Sequence, residues 1–177
     1  YGDHRDLHYP LRRQRQMCIR DRADLPGVCL NIVGTGPMRD EWESLAHSLG
    51  LAERVHFLGE IPDEDLPVQY HAAHFFVLPA NARAEAFGTV LLEAMGAGLP
   101  CISTDVGSGT SWVVQDGVTG RVVPPQDPGA LASAIHELLS DPVRRVDMGR
   151  AGRARVEAEF TQERMVERVM RVYESLV

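Results

Sequence analysis

Residues 85–100 of this 177-residue chain are Glu-Ala-Phe-Gly-Thr-Val-Leu-Leu-Glu-Ala-Met-Gly-Ala-Gly-Leu-Pro. The apolar run at 74–79 predicts a buried strand, and the apolar spacing that follows Gly88 predicts a helix beginning near that residue. Because the first N–H groups of a helix have no acceptor within it, they form an anion site. Glu85 in the loop and Glu93 in the helix therefore place one carboxylate on either side of that site.

The rest of the chain alternates short apolar strands with amphipathic helices. Strands are predicted at 28–33, 55–59, 75–78, 100–104 and 121–123. Strands that alternate with helices predict βαβ units, and so a Rossmann-like α/β fold with a parallel sheet and helices on both faces. Ligands of such sheets bind beyond the carboxyl ends of the strands. The loops expected at that edge are 34–37, 59–63 and 79–88.

Composition excludes several classes of function. The net charge of −7 argues against a nucleic-acid partner, because phosphate binding depends on basic patches. No apolar run approaches the roughly 20 residues of a membrane-spanning helix. A cytoplasmic location is therefore expected, with attachment to the inner membrane face left open only through parts outside this chain.

Residues 1–22 differ in charge from the rest of the chain and have no helix or strand period. They are predicted to be a non-native or disordered leader, in part because the sequence around Cys18 resembles translated adaptor sequence. Residues 23–177 are predicted to form one domain. The three cysteines show no spacing typical of a disulfide framework or a metal site, so no metal is expected. Cys29 and Cys101 lie in apolar runs and are predicted to fill the core.

Two features carry chemistry. Gly34 and Gly36 follow the first strand and would let backbone N–H groups approach a phosphate or sugar, although any α/β domain can use such a pair in a tight turn. Glu85 and Glu93 could accept hydrogen bonds from vicinal hydroxyls on either side of a phosphate-binding helix start. A nucleotide sugar has that order of hydroxyls, phosphates and hydroxyls. The alternative is that both acids are ordinary solvated residues.

The 85–100 run resembles the Glu-x7-Glu signature of the family-4 retaining glycosyltransferases, which have the GT-B fold. The segments 34–37, 55–59, 116–120 and 122–125 match the same family's pattern in the same order. The resemblance implies the C-terminal, donor-binding half of that fold, without its first βα unit and without the N-terminal domain that binds the acceptor. It implies transfer of a hexose from a nucleoside-diphosphate sugar to a hydroxyl acceptor, with retention and without a cofactor.

By this resemblance Glu85 is the catalytic residue that orients the donor sugar, and Glu93 binds the ribose hydroxyls. The other implied donor contacts are Gly34, Gly36, Ile61, Asp63, Phe87, Gly88, Thr89 and Val90. The four at the helix start would hold the sugar and the diphosphate through backbone N–H groups. The two that follow the second strand would face the base, and for Asp63 the alternative role is a helix cap.

The family usually places an Arg and a Lys on the diphosphate, and this chain has no Lys. The isolated chain is therefore expected to be inactive. Two alternatives stay open, a non-catalytic nucleotide-sugar-binding fragment and a nucleotide-sugar 2-epimerase on the same fold. The run 106–112 resembles members that transfer mannose or rhamnose-like sugars in surface-polysaccharide assembly, which favours GDP-mannose over a UDP-sugar as the donor.

Overall fold

The structure is a computed structural model that describes residues 27–81 and 85–176. Its strands are β1 (Leu30–Val33), β2 (Val55–Gly59), β3 (Phe76–Leu78), β4 (Cys101–Thr104) and β5 (Gly120–Val123). Its helices are α1 (Arg39–Ser48), α2 (Leu66–Ala72), α3 (Thr89–Gly96), α4 (Thr110–Val113), α5 (Pro128–Ser140), α6 (Pro142–Glu159) and α7 (Gln162–Glu174). The predicted leader at 1–22 lies outside the described residues. None of the helices in the described ranges is long and apolar enough to cross a membrane.

All strand pairs are parallel, as predicted. β1 pairs with β2, and β4 lies between β3 and β5 in a second group. Within the described part of the chain, β1 and β3 are not hydrogen-bonded to each other. The orders β2-β1 and β3-β4-β5 correspond to the two wings of the doubly wound order 3-2-1-4-5-6, with one strand position between them. The first βα unit of such a fold would supply that strand, and residues 1–26 are not described.

Helices cover both faces of β4, which is buried along its whole length. Ile102 packs in a cluster with Ile135 of α5, whereas its neighbour Cys101 packs in a separate cluster with Met95 of α3. This division follows from the alternation of side chains across a strand. Burial raises the pKa of the Cys101 thiol well above its usual range, so this side chain is an apolar core residue, as predicted.

One local prediction was wrong. The first strand begins at Leu30 rather than at residue 28, so Cys29 precedes it and is exposed instead of filling the core. The single turn of α4 begins at Thr110. The Thr110 hydroxyl is buried and donates to the carbonyl oxygen of Thr104 at 3.1 Å, so this polar group has a partner inside the fold.

A close approach of two backbones holds α3 against α6. A Cβ atom built on Gly149 of α6 would lie 2.0 Å from the carbonyl oxygen of Gly98, just beyond the end of α3. One turn later, a Cβ on Gly152 would lie 3.4 Å from Cγ of Met95, a flexible side chain. Only the first position therefore requires glycine for the two helices to meet at this distance.

The variant Gly149→Ala should be much less stable than Gly152→Ala. In Gly149→Ala the backbone must move, and we expect the free energy of unfolding to fall by about 3 kcal/mol. In Gly152→Ala the Met95 side chain can adjust, and the better helix propensity of alanine, worth up to about 1 kcal/mol, offsets the remaining crowding. Urea unfolding measures both, and equal midpoints for the two variants would contradict this account of the helix contact.

Candidate functional site

The loops that follow β1 and β2 contact each other at the carboxyl edge. The Gly34 N–H donates to the carbonyl oxygen of Gly59 at 2.7 Å, and the Thr35 hydroxyl donates to Oε1 of Glu60 at 3.1 Å. Gly34 and Gly59 both have positive φ, +102° and +72°, which favours glycine. The structure therefore brings the first two predicted loops together.

The remaining predicted residues of these loops are accessible. Gly36 is exposed, and a Cβ there would meet nothing within 4 Å. Ile61 is half-buried and Asp63 is exposed. Asp65, rather than Asp63, occupies the N-cap position of α2. The Asp63 carboxylate is thus not the helix cap and is available to a ligand.

The start of α3 has the geometry that the sequence predicts. The helix begins at Thr89, directly after Gly88, which has φ +76° and ψ +58°. The positive φ favours glycine, and a Cβ on Gly88 would lie 2.8 Å from Cδ1 of Leu91, so any other residue here would also have to displace that buried side chain. Among the described residues, the N–H groups of Phe87, Thr89 and Val90 have no hydrogen-bond acceptor. These donors lie at the positive end of the helix dipole, a geometry that favours an anion and makes the helix start a candidate anion site.

Glu85 is half-buried beside this anion site, and its Oε1 accepts a hydrogen bond of 3.0 Å from the Gly88 N–H. Of the four N–H groups that the resemblance assigns to the ligand, the one of Gly88 is therefore already bonded to the carboxylate three residues earlier. A ligand anion at the helix start would share or displace this bond. Glu85 and the open donors are in the same loop turn, as the sequence predicts.

Glu93 lies on α3, and its side chain is exposed but held by a hydrogen bond. The hydroxyl of Tyr70, on α2, donates to its Oε2 at 2.9 Å. Tyr70 is only 8% exposed, and its ring packs edge-to-face on Phe76 with the ring centres 5.8 Å apart. Burial, followed by the hydrogen bond to the Glu93 carboxylate, raises the pKa of Tyr70 far above its usual value, so its hydroxyl stays a donor at neutral pH. Nothing in the sequence singled out Tyr70, because the two residues are distant in the chain.

The loop between β4 and α4 supports the 85–88 turn from one side. The Gly109 N–H donates to the carbonyl oxygen of Ala86 at 2.8 Å, and a Cβ on Gly109 would lie 2.9 Å from both that oxygen and Cδ2 of Phe87. The Phe87 ring lies 6.2 Å from the rings of both Trp112 and Phe160. The backbone that carries the anion site is thus held by close packing.

Asn81 is a further candidate that the sequence did not indicate. It follows β3 by three residues and is 8% exposed, yet neither Nδ2 nor Oδ1 has a partner within the described part of the chain. A buried polar group without a partner is unfavourable by about 1–3 kcal/mol. Both atoms of this amide are consequently free to satisfy a polar ligand at the carboxyl edge.

Comparison with known proteins identifies the family that this chain resembles. The sequence profile of the family described as glycosyl transferases group 1 matches residues 16–155. The chain is 42% identical over 139 residues to the D-rhamnosyltransferase WbpZ of Pseudomonas aeruginosa, an alignment that covers 78% of this chain and 35% of that protein. It is 38% identical over 151 residues to the GDP-mannose-dependent alpha-(1-6)-phosphatidylinositol monomannoside mannosyltransferase of Mycolicibacterium smegmatis, covering 80% of this chain and 39% of that protein.

Among solved structures, sucrose-phosphate synthase from Thermosynechococcus elongatus superposes with a TM-score of 0.82 at 35% sequence identity. The match covers 94% of this chain and 43% of that one. This chain therefore spans about two fifths of the length of each of these three proteins.

The variant Gly109→Ala should disturb the turn that carries the anion site. The added methyl group overlaps backbone and ring atoms of residues 86 and 87, so we expect the free energy of unfolding to fall by about 2 kcal/mol. Gly96→Ala is the matched control, because a Cβ at that position of α3 meets nothing within 4 Å. Urea unfolding of both variants measures the difference, and an unchanged midpoint for Gly109→Ala would refute the proposed support.

Proposed function

Since this chain belongs to the group 1 glycosyl transferases, we propose that it is the donor-binding half of an enzyme that transfers a hexose from a nucleoside-diphosphate sugar to a hydroxyl acceptor with retention. The predicted fold class, a Rossmann-like C-terminal half of a GT-B fold, is confirmed by the parallel sheet and by the solved relative. For the whole protein, we propose the activity, the substrates and the partners that follow.

The observation that best supports the proposal is the open start of α3 between two carboxylates that are each held by a hydrogen bond. We assign the diphosphate to the N–H groups of Thr89 and Val90, the sugar hydroxyls to Glu85 and the ribose hydroxyls to Glu93. α2 supports this order, because it follows the loop assigned to the base and also carries Tyr70, which bonds to Glu93. Base, ribose, diphosphate and sugar then follow one another along the carboxyl edge.

In the proposed mechanism, the departing nucleoside diphosphate gains negative charge as the bond to the anomeric carbon breaks. Preorganised backbone donors stabilise such charge, and each is worth about 3 kcal/mol in other enzymes. Glu85 would hold the sugar so that the acceptor hydroxyl attacks from the side that the diphosphate leaves. The nucleoside-diphosphate sugar is a substrate in this scheme, and no cofactor takes part.

The acceptor site and the cations for the diphosphate are proposed to lie in the rest of the protein. An N-terminal domain would bind the acceptor, and the first βα unit of the donor-binding domain would carry the cations. This assignment is supported by the share of the relatives' length that the chain spans and by the lack of any Lys in its sequence. The chain on its own would then bind the donor without transferring the sugar.

We propose GDP-mannose as the donor, with a UDP-sugar as the alternative. The GDP-mannose dependence named for the Mycolicibacterium smegmatis relative supports this choice. The exposed Asp63 carboxylate supports it as well, because a carboxylate can accept two hydrogen bonds from the N–H groups of guanine. Since that relative acts on a phosphatidylinositol derivative, the whole protein is proposed to work in the cytoplasm at the inner membrane face, contacting lipid through parts outside this chain.

Calorimetric titration of the chain with GDP, GDP-mannose and UDP tests donor binding. Glu93→Gln should weaken GDP binding roughly tenfold, because it removes the charge that strengthens hydrogen bonds to the ribose. Glu174→Gln, an exposed acid at the end of α7, is the control and should bind like the wild type. Absence of nucleotide binding by the wild-type chain, or equal affinity of the Glu93→Gln and wild-type chains, would count against the proposed site.

Release of GDP from GDP-mannose tests whether donor binding by this chain can be separated from catalysis, which the proposal assigns to the whole protein. The isolated chain should bind GDP-mannose yet release no GDP above the uncatalysed rate in the presence of hydroxyl acceptors, because the proposal assigns the diphosphate cations and the acceptor site to the rest of the protein. A coupled assay for GDP follows the reaction. Enzymatic turnover by this chain alone would show that the described half already holds the catalytic groups.

A further inference from the structure

The hydrogen bond between Tyr70 and Glu93 joins a buried donor to an exposed acid. The phenol oxygen lies 2.9 Å from Oε2 of Glu93, and the tyrosine is 8% exposed. A solvent-exposed glutamate ordinarily samples many rotamers, and binding a ligand must order it. Here one oxygen of the carboxylate is already held, so the side chain is restricted before any ligand arrives.

Tyr70 is itself held firmly enough to serve as a fixed point. Its ring packs edge-to-face on Phe76 of β3, at an interplanar angle of 69°. It belongs to the same buried cluster as Leu91 and Met95 of α3, the helix that carries Glu93. The donor and the backbone of its acceptor therefore share one packed core, and their relative position is set by that core.

We infer that Tyr70 is a positioning residue that holds Oε2 of Glu93 and thereby directs the remaining lone pairs of the carboxylate at the ribose hydroxyls of a nucleoside diphosphate. This inference rests on the proposed function, which assigns Glu93 to the ribose. A carboxylate has about four acceptor sites, so the bond to Tyr70 leaves enough to accept from a 2′ and a 3′ hydroxyl. Because the phenol remains protonated at neutral pH, it can only donate to the charged carboxylate.

A purely structural role for Tyr70 makes a different prediction. The ring, and not the hydroxyl, provides the contacts with Phe76 and with the α3 side chains. Removing the hydroxyl alone would then alter the stability of the fold without changing how the chain distinguishes a ribose from a dideoxyribose. The selectivity between these two sugars therefore separates the roles.

The test is calorimetric titration of wild type, Tyr70→Phe, Glu93→Gln and the double variant with GDP and with 2′,3′-dideoxy-GDP. Tyr70→Phe should weaken GDP binding about fivefold, because Glu93 must be ordered by the ligand itself. It should leave the affinity for dideoxy-GDP unchanged, and it should add nothing in the Glu93→Gln background. Tyr173→Phe removes the hydroxyl of an exposed tyrosine on α7 and is the matched control.

The possible outcomes distinguish the inference from the function on which it rests. If the wild type binds GDP and dideoxy-GDP equally, the assignment of Glu93 to the ribose fails, and the inference fails with it. If the wild type prefers GDP through Glu93 but Tyr70→Phe keeps the full preference, only the role of Tyr70 is overturned. An equal loss for both nucleotides in Tyr70→Phe would assign the hydroxyl to stability and overturn the inference as well.

A second measurement uses the wild-type chain, in case Tyr70→Phe does not fold. The 13Cζ resonance of Tyr70 reports the hydrogen bond of its hydroxyl. We expect this resonance to shift in Glu93→Gln and to stay at its bonded position when GDP is added to the wild type. Movement of the wild-type resonance to the value of an unbonded phenol on GDP binding would show that the bond breaks, and would overturn the inference.

Discussion

The site depends on one constraint: α3 must leave its first N–H groups unpaired while one face of the helix is buried. Leu91, Ala94 and Met95 are fully buried against the sheet and α6, and α6 approaches so closely that Gly149 has no room for a side chain. A helix anchored in this way cannot shift along its axis to relieve its open end. The anion site is therefore a consequence of packing, because the buried face fixes where the unpaired donors point.

The two carboxylates beside this helix are oriented by different physical means. Glu85 bonds to the N–H of Gly88, three residues away, so its orientation follows from the local turn. Glu93 bonds to Tyr70, which is 23 residues away and belongs to another helix. A local change in the loop would move the first acid, whereas only a change in the packing of α2 on α3 would move the second. The orientation of Glu85 therefore depends on local backbone structure, and that of Glu93 depends on tertiary packing.

This difference between local and long-range contacts explains which features could be predicted from the sequence. The parallel α/β fold, the helix start after Gly88 and the three loops at the carboxyl edge follow from apolar periodicity and from a glycine in the left-handed region, which are local properties. The hydrogen bonds from Tyr70 to Glu93 and from Gly109 to Ala86 join segments that are distant in the chain, and such contacts produce no periodic pattern in the sequence. The exposure of Cys29 was missed for a related reason, because an apolar run does not show where a strand begins.

The same constraint sets what this half of a group 1 glycosyl transferase can do. The start of a helix carries the equivalent of about half a positive charge, and its influence fades within one turn. That is enough to favour binding of a diphosphate, which carries its charge in the ground state, but a departing nucleoside diphosphate gains further negative charge as the bond breaks. Binding and bond cleavage therefore make different electrostatic demands. Under the proposed function, the backbone donors of this chain favour binding of the diphosphate but stabilise only part of the charge that develops in bond cleavage. Under the proposed function, catalysis also requires cations opposite the same helix end, and these are assigned to parts of the protein other than the described residues.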